Sequence, residues 1–400
     1  AFLAEKLDDM GFRPSEADPD VWMRPAVKPD REEYYEYLLV YVDDILALSM
    51  EPQAIMDDIG NQFKFKGNKT APPETYLGAR LEKKPLNGNN CWTMSSVDYV
   101  KAAVAEVVDK LAKENKQLVL KAVTPMTSDY APKLDGSPEL NADDTQYYQE
   151  LIGILRWATE IGRVDIVIEV SIMSQFQAMP REGHLKEVLH MFAFLKRKPK
   201  LTLYFDPMEP NLDISMFETN SEDFKEHYRD AEEELPWRMP KPRGRPVSTT
   251  AFMDASHAAN KKTRRSHTGY LIFINRAPIF WYSKRQHTVE SSSFSAEFIA
   301  MRACIEQIQS LRFKLRMFGV PIQGETRVFC DNEAVVKNSS KFESSLNKKH
   351  NSIAYHITRY AVAAKVAVIG WISGVENLAD AFTKRLSAAK RDYLFGNWTY

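Results

Sequence analysis

Cysteine is scarce in this chain. Three in 400 residues, Cys91, Cys304 and Cys330, are too few and too scattered for a disulfide framework or a structural zinc site, so a reducing intracellular setting is expected. Long apolar runs are also missing. Charges break each one well short of a bilayer span, and no membrane segment is expected. The opening residues, Ala1-Phe2-Leu3-Ala4-Glu5-Lys6, hold no basic-then-apolar leader. They also lack an initial Met, which suggests a piece cut from something longer or processed from a precursor. No internal repeat is visible. Nor is there an overall excess of charge, since the net value of −1 argues against a polyanion as partner for the chain as a whole. That average conceals a division. Residues 251–400 carry 22 Lys and Arg against 11 Asp and Glu, a net of +11, which leaves −12 for residues 1–250. A basic C-terminal third suits a polyanion through local attraction, although a solvated face gives the same count.

A length of 400 residues with 44% hydrophobic and 11% aromatic content exceeds one core and predicts two or three domains. Residues 1–12 read as the end of a helix closed by Gly11. Two β-prone runs between Tyr35 and Ser49 then meet at Asp43-Asp44. Val40, Val42, Ile45 and Leu48 suit a sheet, whereas adjacent carboxylates among them are costly unless they sit in a tight turn or face a cation. A helix is expected over Pro52–Phe65, a strand pair over Tyr76–Leu81 and Cys91–Met94 around the Asn87-Gly88 turn, and a helix over Asp98–Leu111. Apolar stripes place further helices at Tyr147–Trp157, Val164–Phe176 and Gly183–Lys196, a small bundle with no chemistry of its own. His184 and His190, six apart on one helix, lack metal-ligand geometry. Residues 206–250, acidic at Glu232-Glu233-Glu234 and then rich in Pro, read as an extended, partly mobile tether.

The C-terminal third predicts strands at Thr249–Ser256, His267–Ile274 and Ala277–Ser283 and a long helix over Phe294–Arg316. Then follow a strand at Thr326–Asp331, short helical turns, a helix at His350–Ala364, a strand at Lys365–Ile372 and a last helix over Leu378–Lys384. That order resembles ribonuclease H. Four carboxylates fall where that fold places its site: Asp254 in the first strand, Glu297 on the first helix, Asp331 ending the fourth strand and Asp380 opening the last helix. Two divalent ions about 4 Å apart bridging a scissile phosphate need hard oxygen ligands from several elements, which is the chemistry such a set serves.

Short motifs narrow the resemblance. Arg265-Ser-His-Thr-Gly-Tyr270, Trp281-Tyr-Ser-Lys-Arg-Gln286, Ser291-Ser-Ser-Phe-Ser-Ala-Glu297, Cys330-Asp-Asn332, Lys349-His350 and Ala379-Asp-Ala-Phe-Thr-Lys384 are similar, in order, to ribonuclease H motifs of copia-type retrotransposon polyproteins. Tyr41-Val42-Asp43-Asp44 resembles the Tyr-x-Asp-Asp hairpin of reverse transcriptase palms, and Tyr76-Leu-Gly78 and Thr124-Pro125-Met126 continue the likeness. Gly162-Arg163-Val164-Asp165 lacks the family's Pro, and Ser295 stands where an acid is usual. The stretch from Trp371 to Asp380 lacks the loop His of cellular ribonucleases H; Glu376, His350 and His356 are left without a catalytic role.

The resemblance implies an α/β and α+β multidomain chain: a partial reverse transcriptase palm (1–122), a helical thumb and connection (123–205), a linker (206–248), a ribonuclease H-like mixed sheet with flanking helices (249–388) and a tail (389–400). It implies hydrolysis of RNA in RNA–DNA hybrids with Mg²⁺, or Mn²⁺ in its place. Asp254 would bridge the metals, and Glu297, Asp331 and Asp380 would complete their shells. Asp43 would bind metal in the palm, with Asp44 supporting it; primer extension is not expected, because another palm aspartate lies well upstream in the family. Lys261, Lys262, Arg264, Arg265, Lys284 and Arg285 would meet hybrid phosphates, with little base reading. Further implied are a partner in the upstream part of the same polyprotein, no membrane, and a setting in cytoplasmic virus-like particles or the nucleus. The oligomeric state stays open. A non-catalytic, nucleic-acid-binding remnant of a decayed element is the alternative.

Overall fold

Alternating apolar residues, broken by turn formers, produce three sheets in this computed structural model, which describes residues 2–42, 44–65, 70–217, 224, 227–341, 343–344, 346 and 351–396. The first sheet follows helix α1 (Phe2–Asp9) and has the order β1-β2-β3-β4, from β1 (Arg13–Ser15), β2 (Asp18–Val27), β3 (Glu33–Tyr41) and β4 (Asp44–Leu48). Its apolar side packs Leu38 on Leu7 and Phe12 and on Ile55 and Ile59 of α2 (Pro52–Gly60). That helix ends earlier than its apolar spacing suggests. Gly60 is a poor helix former, and the Phe65 ring folds back to 3.1 Å from where a Gly60 side chain would begin.

The second sheet holds β5 (Thr75–Tyr76), β6 (Ala79–Leu86) and β7 (Asn89–Ser95). Asn87 and Gly88 both adopt positive φ, 50° and 81°, which suits a two-residue hairpin turn. Behind it lie α3 (Val97–Lys113), α4 (Ala142–Glu160), α5 (Val167–Met173) and α6 (Glu182–Arg197), sharing a core around Tyr148, Leu155, Met173 and Phe192. The chain then returns through β8 (Leu203–Phe205), an edge strand with no signal in the sequence reading, to pair with β7.

The third sheet comprises β9 (Thr249–Ser256), β10 (His267–Ile274), β11 (Ala277–Arg285), β12 (Thr326–Cys330) and β13 (Ala367–Trp371). Its order is β11-β10-β9-β12-β13; the first three are antiparallel, and β12 runs parallel to both its neighbours. Helices α7 (Ser293–Met317), α8 (Glu333–Ser340), α9 (Ser352–Ala363), α10 (Asp380–Thr383) and α11 (Ala388–Phe395) complete the unit. Ser292 caps α7 by accepting from the Ser295 backbone, and α7 buries Phe298, Met301 and Ile305 against Met253, Ile272 and Val328. No described helix is long and apolar enough to cross a membrane.

Two expectations need correction. The stretch read as a partly mobile tether is laid against the third sheet. Phe224 is fully buried in its core, Phe217 stacks 4.9 Å from Phe329, and Val247 bridges to Ile322. Few anchors suffice because they are aromatic, and the acidic run supplies Glu233 to two arginines of α7. Residues 389–400 are not simply a tail either. Through residue 395 they form α11, whose Arg391 is buried beside Glu169 (3.1 Å) and Asp165 of the helical region. Replacing Glu233 with Ala leaves Arg312, 3% exposed, without its carboxylate, and is expected to cost about 3 kcal/mol in urea unfolding. An unchanged midpoint would show the segment to be unimportant to the fold.

Candidate metal-binding carboxylate centre

Register places the site. On β9, Asp254 lies opposite Gly269 of β10, and β12 runs parallel beside β9, so Asp331, one residue past β12, emerges at the same edge. Gly269 has to be glycine there. A side chain on it would meet Thr383 at 2.6 Å and Phe382 at 2.8 Å, because α10 closes over that point. That closure brings Asp380 to the edge. Glu297, in the first turns of α7, points inward from the far side and receives the Ala255 backbone N–H. The structure therefore assembles all four expected carboxylates. Asp254, Asp331 and Asp380 offer oxygens within 4.8 Å of one another, and Glu297, Cys330 and Asp331 form an overlapping group.

Electrostatics show the strain of this arrangement. Burial pushes the Asp254 carboxyl up to about 6; Lys384 pulls it down, while Asp380 and Asp331 push the same way as burial. Glu297 is raised well above the usual carboxylate range by burial and by Asp254 and Asp331, and Asp331 is raised mainly by burial. Glu297 Oε2 is buried with no hydrogen-bond partner. Buried acceptors facing one another with an orphaned oxygen fit a hard divalent cation. The Cys330 thiol, pushed up by burial, stays protonated and suits such an ion poorly.

The sequence reading gave no role to two neighbours. Thr383 donates its hydroxyl to Asp254, and Lys384 Nζ lies 2.5 Å from Asp380 Oδ1 and 3.4 Å from Asp254 Oδ1. Burial works against the Lys384 charge, yet Asp254 and Asp380 hold its proton more firmly than usual. The four-residue step from Asp380 to Lys384 was the available signal. Lys390 of α11 adds a second ammonium, donating to the Val375 (2.7 Å) and Gly374 (3.2 Å) carbonyls in the loop that lacks a His.

Other expected residues fall elsewhere. Asp43 and His350 lie outside the described residues. Asp44 is exposed opposite Tyr41 at the hairpin tip, next to Val42 at φ 53°, and belongs to no acidic group among the described residues. His356 Nδ1 shares a hydrogen bond with the Tyr228 hydroxyl at 2.7 Å on the exposed side of α9, and Glu376 sits in an exposed turn. Ser295 is buried and accepts from Asn351 at 2.9 Å, a packing role. His184 Nδ1 accepts from the Arg181 backbone while Nε2 donates to Pro132, and His190 bonds the Thr124 carbonyl, so neither holds a metal. Among the expected phosphate contacts, Lys261, Arg265 and Arg285 line one cavity, Lys284 borders another, and Lys262 and Arg264 are exposed in the β9–β10 loop.

A five-stranded sheet of this order, with acidic groups at the shared edge of β9 and β12, defines a ribonuclease H-like fold. No family model matches the chain. A retrovirus-related Pol polyprotein from transposon RE1 of Arabidopsis thaliana is 25% identical over 354 residues, 88% of this chain and 21% of that protein. The one from transposon TNT 1-94 of Nicotiana tabacum is 24% identical over 377 residues, 92% of this chain and 24% of that protein. Among solved structures, LC11-RNase H1 in complex with RNA/DNA hybrid aligns at 17% identity and TM-score 0.28, over 34% of this chain and 94% of that one. Over most of its length the chain is similar to copia-type retrotransposon Pol polyproteins, and it spans about a fifth of the length of the RE1 relative.

Proposed function

We propose that this chain is the reverse transcriptase and ribonuclease H portion of a retrotransposon Pol polyprotein, and that its third sheet carries out hydrolysis of RNA in RNA–DNA hybrids with Mg²⁺, Mn²⁺ being able to replace it. On this reading residues 1–122 are palm, 123–205 thumb and connection, and 249–388 the nuclease. The observation that carries it is the convergence of buried Asp254, Glu297 and Asp380 with half-buried Asp331, with Glu297 Oε2 unpartnered. The metal, held by those four, would supply a Lewis acid and an activated water. The chain's own residues do the rest. Thr383 orients Asp254, Lys384 and Lys390 hold positive charge beside Asp380, and the close packing of α10 on Gly269 keeps Asp380 at the sheet edge. Phosphates of the hybrid would be met by the basic residues of the β9–β10 loop and β11. The remaining polyprotein is the other partner, in an intracellular setting.

The test is direct. The full chain should cleave the RNA strand of a labelled hybrid with Mg²⁺ or Mn²⁺, and EDTA should stop it. Cleavage that continues in EDTA would overturn the metal-dependent reading, and folded protein that cleaves with none of the divalent ions tried would leave only the non-catalytic alternative. The same preparation is expected not to extend a primer, because two-metal nucleotidyl transfer needs ligands from more than one strand and one hairpin does not supply them.

A further inference from the structure

Between the helical region and the third sheet lies a cavity of about 230 Å³ whose walls come from both. Its apolar floor is Ile168 and Ile172 of α5. Every charged residue that lines it is cationic: Lys133 from the helical side, Lys261, Arg265 and Arg285 from the sheet, and Lys384 and Arg385 after α10, with neutral polar groups such as Gln175 and Asn260 between them. Among the described residues no carboxylate pairs with Lys133, Lys261, Arg265 or Arg285, although other arginines of the chain find partners readily. The like charges feel one another. Burial and the facing Arg285, Lys262 and Arg265 depress the Lys133 ammonium, and burial and Arg265 depress the Arg285 guanidinium.

The walls are held in place. Ser171 of α5 donates to the Ser283 carbonyl at 2.8 Å and therefore accepts from His267 at 3.1 Å, which pins α5 to β10 and β11. On the other side Arg385 donates to the Tyr130 (2.7 Å) and Thr127 (3.2 Å) carbonyls, one turn from Lys133. The Lys133 ammonium lies over the Phe176 ring, with Nζ 4.3 Å from its centroid. Cations held together without a counter-ion keep a standing repulsion that an anion would relieve. Repulsion of this kind is uncommon in a pocket that binds nothing.

We infer that this pocket seats a backbone phosphodiester of the hybrid, next to the one at the carboxylate centre, and that Lys133 makes the helical region part of the substrate site. Thr383 and Lys384 are common to the pocket wall and the carboxylate centre, so a strand entering one passes the other. A phosphodiester fits better than a lone carboxylate, because the exposed Lys262, Arg264 and Lys284 beyond the rim continue the positive track for a polyanion. The inference rests on the hybrid-hydrolysis reading.

The experiment measures hybrid binding to the full chain in EDTA, where no RNA is cut, across a range of salt. Lys133→Met removes the charge and leaves an unbranched apolar side chain of similar length beside Phe176; a thermal melt confirms folding. The expected result is a Kd raised about three- to tenfold near 0.15 M salt, with the slope of log K against log salt shallower by roughly one. Lys314→Met, an exposed charge on α7 away from the pocket, serves as control and should change neither. An unchanged Lys133→Met, or an equal loss in Lys314→Met, would overturn the inference while the parent still binds and cleaves hybrid. A parent chain that binds no hybrid overturns the functional reading itself.

Discussion

Asp254→Asn is expected to lower hybrid cleavage about a thousandfold, roughly 4 kcal/mol of barrier, while making the metal-free protein more stable at neutral pH. Both effects come from one carboxylate. Asp254 has an oxygen within 4.8 Å of those of Asp331 and Asp380 and is also held by Thr383 and Lys384, so it joins the carboxylates to the two side chains at the end of α10. It is 1% exposed, which leaves little solvent to screen it. Its folded-state carboxyl, at about 6, lies above the unfolded value of about 3.9. Between those values the folded protein holds a proton that the unfolded chain has lost. Stability therefore falls as pH rises from about 4 to about 6 and stays reduced above it, by at most roughly 3 kcal/mol. Asn removes that decline. Glu297 and Asp331 are shifted the same way, so some slope remains. Urea titrations in EDTA at pH 4.5 and 7.5 read the difference. A variant that cuts at the parent rate, or whose stability at pH 7.5 drops below the parent's, would remove Asp254 from the role given to it.

The four-carboxylate set was legible because each member is tied to a local pattern. Asp254 lies within a short β-prone run, Asp331 follows another, and Glu297 and Asp380 sit near helix starts. Strand positions 249–256 and 267–274 agree with the structure because each is a short run free of Lys and Arg, bounded by polar and turn-forming residues and buried along nearly its whole length. What escaped was long-range. Glu233 meets Arg312, 79 residues away, and Arg391 meets Glu169, 222 residues away, and no local spacing reports such pairs. Phe224 looked like one aromatic in a polar stretch, yet it fills a core built by other elements. Lys133 was invisible as a site residue because its partners, Arg265 and Arg285, lie on strands that the sequence alone cannot place beside residue 133.

Lys384→Met is expected to tighten Mg²⁺ binding about tenfold and to weaken the metal-free fold. In the structure the Lys384 ammonium takes the position of a counter-ion, 2.5 Å from Asp380 and 3.4 Å from Asp254, and so competes for oxygens that a divalent ion would need. A unit charge about 4 Å away exerts roughly 1 to 4 kcal/mol between water-like and protein-like dielectric, which is where the tenfold comes from. Lys384 is half-exposed, so the lower end of that range applies. Without it and without metal, Asp254, Asp331 and Asp380 face one another with only the more distant Lys390 ammonium near them, 3.8 Å from Asp380. Their mutual repulsion should lower the melting temperature in EDTA, and saturating Mg²⁺ should restore more of it than in the parent. Calorimetric titration of Mg²⁺ and melts with and without the ion measure the two halves separately. If the Mg²⁺ isotherm is unchanged, Lys384 does not share oxygens with the metal. If the melt in EDTA is also unchanged, its contact with the carboxylates contributes nothing to the fold.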